Sequence, residues 1–180
     1  NSGGAALRYD GNVWREMTSS LSCGKRLTGV WGNSSIDVFA VGESGAILHY
    51  NGSTWSNMMN TAITQNNSDY LYGVWGNAPN NIFAVGGGYI YAASTILHYN
   101  GEKWTWTTNS AAHALNGIWG SGNHVFAVGR GLSYYGAHVS TILHSTGSGW
   151  AVMDSGTLEM VWLEDVWGSS SNDVFAVGSG

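Results

Sequence analysis

A tripeptide, Val-Trp-Gly or Ile-Trp-Gly, occurs four times in 180 residues, with tryptophans at Trp31, Trp75, Trp119 and Trp167 and spacings of 44, 44 and 48. Self-similarity at such a period marks a chain made by stacking one supersecondary unit, because a single unit cannot bury its own apolar face. The repeat extends well beyond the tripeptide. Its first segment runs 27–32, 71–76, 115–120 and 163–168, each opening on Leu. The second, Asp37-Val-Phe-Ala-Val-Gly42, returns at 81–86, 124–129 and 173–178. The third reads Ile47-Leu-His-Tyr50, Ile96-Leu-His-Tyr99 and Ile142-Leu-His-Ser145, and the fourth centres on Trp55, Trp104 and Trp150.

Third and fourth segments also occur once near the N-terminus, as Ala6-Leu-Arg-Tyr9 and the stretch around Trp14, with no first or second segment before them. The C-terminal end supplies the complement, stopping just after a second segment. Each segment is about a strand long. Asn51-Gly52, Asn100-Gly101 and Asp10-Gly11 join third to fourth segments and predict type I′ hairpin turns, whose central residues need positive φ. Val-Phe-Ala-Val is apolar without alternation, which predicts a strand buried on both faces.

A four-stranded unit of ~44 residues matches a propeller blade of ~40–45. The expectation is therefore an all-β chain, a single small β-propeller over 1–180 with four blades of four antiparallel strands. Three blades fall within 27–59, 71–106 and 115–153. The fourth, 163–180 plus 1–17, is closed by the N- and C-terminal strands, which removes raw sheet edges.

Composition agrees. Glycine stands at 27, proline at 1 and tryptophan at 10, and charged residues are 9% against a norm near 25%. Abundant aromatics argue against disorder, and no run approaches the ~20 apolar residues of a membrane helix. Six basic residues, scattered at Arg8, Arg15, Lys25, Arg26, Lys103 and Arg130, stand against eleven acidic ones. Binding to nucleic acid or to an anionic membrane needs a basic stripe or patch, so neither is expected. A single cysteine, Cys23, builds neither an internal disulfide nor a zinc site and reads as a free thiol in a linker. A chain opening at Asn1 without Met or an apolar leader reads as a mature or excised form.

The run Val-Trp-Gly-x-Ser-Ser-x-Asp-Val-Phe-Ala-Val-Gly followed by Gly-x-Ile-Leu-His-Tyr-Asn-Gly-x-x-Trp resembles a repeat of bacterial secreted or surface proteins, a propeller blade loosely related in form to the BNR and Kelch types. The resemblance covers nearly the whole chain. It implies the fold and an extracellular or cell-surface setting, and it implies no particular activity. The fourth unit departs from the pattern with Asp165 for Gly; Ser145 stands for Tyr in the third unit, and Arg8 for His near the N-terminus.

With the four strands of a blade termed A to D, antiparallel order alone places the A–B and C–D turns on one face of the disc. The B–C turns and D–A links lie on the other. The first set is nearly uniform. In the second, B–C lengths are four (43–46), nine (87–95) and twelve (130–141), and the D–A links differ as well. A scaffold that holds one face constant and varies the other carries its recognition loops on the varied face.

The two long B–C loops lie in consecutive blades, so Tyr89, Tyr91, Tyr134 and Tyr135, with Arg130 and His138, are expected to line a shared groove. Tyr among Gly and Ser makes an adaptable binding surface, and flat rings beside hydrogen-bonding groups suit sugars. The competing reading is of longer hairpins whose alternate tyrosines pack on the next blade.

His49, His98 and His144 recur at one strand position and point apart in different blades, so no metal site is expected. Trp31, Trp75, Trp119 and Trp167 read as blade-to-blade packing. Asp37 and Asp173 read as caps of a Ser/Asn-rich turn. No phosphate loop, dinucleotide fingerprint, nucleophile elbow or haem motif occurs, so no cofactor is expected. Nor does a pair of opposed carboxylates stand out for glycoside hydrolysis. The expected function is noncatalytic extracellular recognition of a glycan or protein ligand. Two alternatives stand beside it: a surface protein that self-assembles by strand exchange into an oligomer or filament, and a polysaccharide-active enzyme using Tyr135 and His138.

Overall fold

The structure, a computed structural model, describes residues 4–17, 24–58, 70–87, 93–132, 138–153 and 161–180, with backbone alone at 132 and 138. Strands β1 (Leu7–Tyr9) and β2 (Trp14–Glu16) form a hairpin. Blade 1 follows as β3 (Leu27–Ser34), β4 (Asp37–Gly42), β5 (Ile47–Tyr50) and β6 (Trp55–Asn57). Blade 2 is β7 (Tyr70–Ala78), β8 (Asn81–Gly87), β9 (Ser94–Tyr99) and β10 (Trp104–Asn109). Blade 3 is β11 (Ala114–Ser121), β12 (His124–Leu132), β13 (His138–Ser145) and β14 (Trp150–Met153). Last come β15 (Trp162–Ser170) and β16 (Asp173–Ser179). Every pairing is antiparallel between chain neighbours, giving three four-stranded meanders and two two-stranded sheets. The all-β, propeller-type arrangement anticipated from the repeat is present.

Alternation along each strand gives a blade two apolar faces. One face of blade 1 presents Trp31, Phe39, Val41 and Ile47 to Leu71, Val74, Ile82, Ala84 and Leu97 of blade 2. The pattern repeats where Trp75, Val85 and Ile96 meet Leu115, Ile118, Val125 and Ala127, and where Trp119, Phe126 and Val128 meet Leu163 and Val166. Because β8 and β12 are covered from both sides, their Ile-Phe-Ala-Val and Val-Phe-Ala-Val runs need no polar alternation. Phe39, Val41, Ile82, Val85 and Leu97 are buried almost completely.

The strands expected to make the fourth blade appear as two parts: the hairpins β1–β2 and β15–β16 each form their own sheet. The reason lies in what anchors them. Leu163 and Val166 fix β15–β16 on blade 3, whereas β1–β2 lies against blade 1, with the Arg8 guanidinium donating to the Tyr50 hydroxyl at 3.3 Å. In consequence Trp167 is 60% exposed, so only the first three repeat tryptophans pack between blades.

The C–D turns also differ from expectation. Gly11, Gly52 and Gly101 have positive φ, but Asp10, Asn51 and Asn100 do not, which excludes type I′. Each is a four-residue loop in which the Asp or Asn side-chain oxygen accepts the N–H groups two and three residues on. The short side chain thus takes over a role that backbone twist plays in a two-residue turn.

Candidate functional site

Meander topology puts the B–C connections of all blades on one face, where the two expected long loops prove to be ladder extensions. Gly87 pairs with Ser94 and Leu132 with His138, which leaves 88–93 and 133–137 as the connecting segments. Tyr89, Tyr91, Tyr134 and Tyr135 lie outside the described residues. His138 opens β13 opposite Leu132, its side chain likewise outside. Of the six expected ligand-binding side chains, only that of Arg130 is described.

A single D–A link ties the bases of both hairpins together. Ser94 N–H donates to the Ala112 carbonyl at 2.8 Å, and His113 N–H to the Arg130 carbonyl at 2.8 Å. Thr141 Oγ1 donates to the Ala111 carbonyl at 3.4 Å and Ser94 Oγ to the Asn109 carbonyl at 3.1 Å. Ser94, Thr95, Ser140 and Thr141 are all buried. Four hydroxyl side chains in the interior are costly unless bonded, and here they line the joint between the hairpins and that link. Arg130 then reaches across to the next unit, its guanidinium 5.1 Å from the ring centroid of Trp162.

Nearer the axis lies a feature that the sequence reading missed. Every A strand carries a bulge between its Leu and the residue two further on. The extra residues are Thr28, Tyr72, Asn116 and Glu164. A bulge frees one residue from the ladder and re-aims its side chain. Thr28 Oγ1 donates to the Leu71 carbonyl of the next blade. Asn116 Nδ2 donates to the Leu163 carbonyl at 2.8 Å and reaches Glu164 Oε2 at 3.3 Å. Tyr72 stacks on Tyr70 with centroids 6.1 Å apart and planes 12° from parallel. The signal was present in the repeat: between the constant Leu and the Trp-Gly pair, the second position alone differs in all four units.

The recurring histidines belong to the scaffold. His49, His98 and His144 each stack on the strand-B phenylalanine at 4.5 Å. Each bonds the residue that opens strand B: Asp37 Oδ1 at 2.7 Å, Asn81 Oδ1 at 2.8 Å and His124 Nδ1 at 3.0 Å. Asp37 is therefore the acceptor for His49 and not a turn cap, whereas Asp173 does hold its turn, accepting from Ser169 Oγ. Burial holds His98 below the usual histidine range, and burial with the nearby His124 does the same for His144. Among the described residues no group of three or more His, Cys, Asp or Glu could hold a metal ion.

Two concavities lie among the described residues. One of about 520 Å³ separates the β1–β2 hairpin from blade 1. The other, about 510 Å³, lies between the outer strands of blades 2 and 3 and includes Asn81, His98, Asn123 and Thr146 near the constant turns.

No protein-family profile matches the chain, and neither does any curated protein. Among solved structures it is similar to one described as "YCF48 bound to D1 peptide", with a TM-score of 0.50 and 16% sequence identity over 98% of this chain and 69% of that one. That neighbour is a β-propeller, and the likeness is one of fold.

Proposed function

We propose that the chain is a noncatalytic recognition module working outside the cytoplasm, with its ligand on the variable face. The observation that carries this reading is the concentration of length differences on the B–C and D–A side, where the hairpins of blades 2 and 3 stand on one shared link. A rigid, doubly tied base is what a binding surface needs to hold its contact residues in place. In sequence, Tyr89, Tyr91, Tyr134 and Tyr135 fall within the connecting segments 88–93 and 133–137, while Arg130 over Trp162 and Tyr70 stacked on Tyr72 add aromatic and hydrogen-bonding groups to the same face.

Planar rings interleaved with amide and hydroxyl groups suit a glycan, which offers an apolar sugar face and a fringe of hydroxyls. The test is a glycan-array screen of the purified chain beside two variants. Tyr89→Ala/Tyr134→Ala alters the variable face and Ile36→Ser the constant one. Binding lost in the first and kept in the second is the expected result. A clean negative for the unaltered chain at high concentration overturns the glycan class and leaves a protein ligand. A further reading, self-assembly, is favoured by the exposed face of β15–β16.

A further inference from the structure

The exposed face of β15–β16 and the groove beside β1–β2 carry complementary positions of the repeat. At one end Trp167, Phe175 and Val177 are 60%, 59% and 63% exposed, although Phe39 and Val41 at the equivalent positions of blade 1 are 1% and 0%. At the other end, the 520 Å³ groove is lined on the blade 1 side by Leu27, Val30, Val38, Ala40, Tyr50 and Trp55, and on the other by the 5–9 stretch and Met17. The blade 1 positions correspond to those that receive the preceding blade at the other interfaces. Val30 is 72% exposed, against 8% for Val74, 8% for Ile118 and 6% for Val166.

We propose that this groove seats the β15–β16 hairpin of a second copy, so that β15–β16 of one chain and β1–β2 of the other form one four-stranded blade. Three independent matches support the fit. First, at each internal interface an indole lies on the glycine of the next Trp-Gly pair: Trp31 on Gly76, Trp75 on Gly120 and Trp119 on Gly168. Gly32 faces no such ring, and Trp167 faces no such glycine. Second, the ladder of blade 1 pairs Val38 with Tyr50, Phe39 with His49, Ala40 with Leu48 and Val41 with Ile47. Transferred to the composite blade, it pairs Val174 with Tyr9, Phe175 with Arg8, Ala176 with Leu7 and Val177 with Ala6.

Third, the charges agree. Strand B opens on Asp37, Asn81 or His124 where strand C offers a histidine. In the composite blade it opens on Asp173, and strand C offers Arg8. The guanidinium takes the place of the imidazole between a carboxylate and the Phe175 ring, forming a salt bridge and a cation–π contact.

A second copy is the occupant because one and the same molecule carries both the exposed β15–β16 face and the exposed Val30 in the groove, each hairpin being anchored at its own end. A head-to-tail contact repeated once about a two-fold axis seats both hairpins reciprocally.

The test uses engineered thiols in a Cys23→Ser background. Gly42 N–H donates to the Ala46 carbonyl at 3.0 Å, so Val41–Ile47 is a non-hydrogen-bonded pair, the kind with the closer side chains. Val177 and Ala6 are its counterparts. Chains carrying only Ala6→Cys, mixed with chains carrying only Val177→Cys and mildly oxidised, are expected to form a covalent dimer. Sedimentation of the unaltered chain should show a dimer, and Phe175→Arg, on an exposed position, should weaken it at least tenfold. An internal disulfide in a monomeric Ala6→Cys/Val177→Cys chain overturns the proposal in favour of self-closure. A monomer at all concentrations, or a dimer that forms without the cross-link, overturns it too.

Discussion

The indole of Trp31 lies so close over Gly76 that a Cβ there would stand 2.8 Å from the ring. The same contact joins Trp75 to Gly120 and Trp119 to Gly168, both at 2.7 Å. Glycine is required at these three positions because the preceding blade brings a ring against the backbone, joined at Gly120 and Gly168 by the His124 and Asp173 carbonyls of their own blades. Gly76→Ala, where the Trp31 ring is the nearest neighbour, should therefore cost about 1–3 kcal/mol through overpacking. Gly32→Ala, whose nearest neighbour is its own blade's Val38 at 3.2 Å, should leave stability within about 0.5 kcal/mol. Urea melts of the two variants, under conditions where the chain is monomeric, make the comparison. Equal losses would show that the requirement is local to the strand.

The same contrast can be read at a single side chain. Val74 and Val30 occupy one repeat position, the first buried in the blade 1–blade 2 core and the second open to the groove. Val74→Ala should destabilise by about 1.5–3 kcal/mol, the value of a fully buried valine, and Val30→Ala by much less. If the proposed dimer forms, the cost at Val30 should rise with protein concentration while that at Val74 stays constant, because only Val30 lies in the seat.

The fold was legible because its information is periodic. Trp-Gly, Val-Phe-Ala-Val-Gly and Ile-Leu-His-Tyr return in fixed order, so strand number, meander order and the doubly buried inner strand follow without knowledge of any contact. What stayed hidden depends on pairs. Nothing in Asp10-Gly11 or Asn51-Gly52 tells a two-residue turn from a four-residue loop, since both use glycine at positive φ and an Asp or Asn beside it. The match of Asp173 to Arg8 emerges only once His49 is seen bonded to Asp37. The candidate site was least legible. Thr28, Tyr72, Asn116 and Glu164 look like ordinary strand residues until the ladder is found to skip them.

Acid should weaken the chain through the imidazoles. His98 and His144 are held below the usual histidine value of 6.5, chiefly by burial. The folded state thus binds their protons less readily than the unfolded state does, and this contribution to stability is present above pH 6.5 and lost as the pH falls through the folded values. Thermal melts should be flat above neutrality and decline below about pH 6.5. A His98→Gln/His144→Gln chain, neutral at every pH and still able to donate, should show a shallower decline. An unchanged slope would place the acid sensitivity elsewhere.

Thr141 offers the most direct probe of the joint beneath the candidate site. Its hydroxyl is buried and donates to the carbonyl of Ala111, in the link that also bonds Ser94 and Arg130. Thr141→Val keeps the shape and removes the donor, leaving a carbonyl without that bond at a cost of about 1–3 kcal/mol. The effect should be local, since blade-to-blade packing does not involve this hydroxyl. Hydrogen exchange should quicken at Ala112 and His113, whose N–H groups bond the Asn109 and Arg130 carbonyls. It should be unchanged at Val41 and Val85 in the inner strands. If the variable face recognises its ligand as a rigid surface, the same substitution should weaken binding without touching a contact residue. Faster exchange at the link with binding intact would assign recognition to the hairpin tips alone.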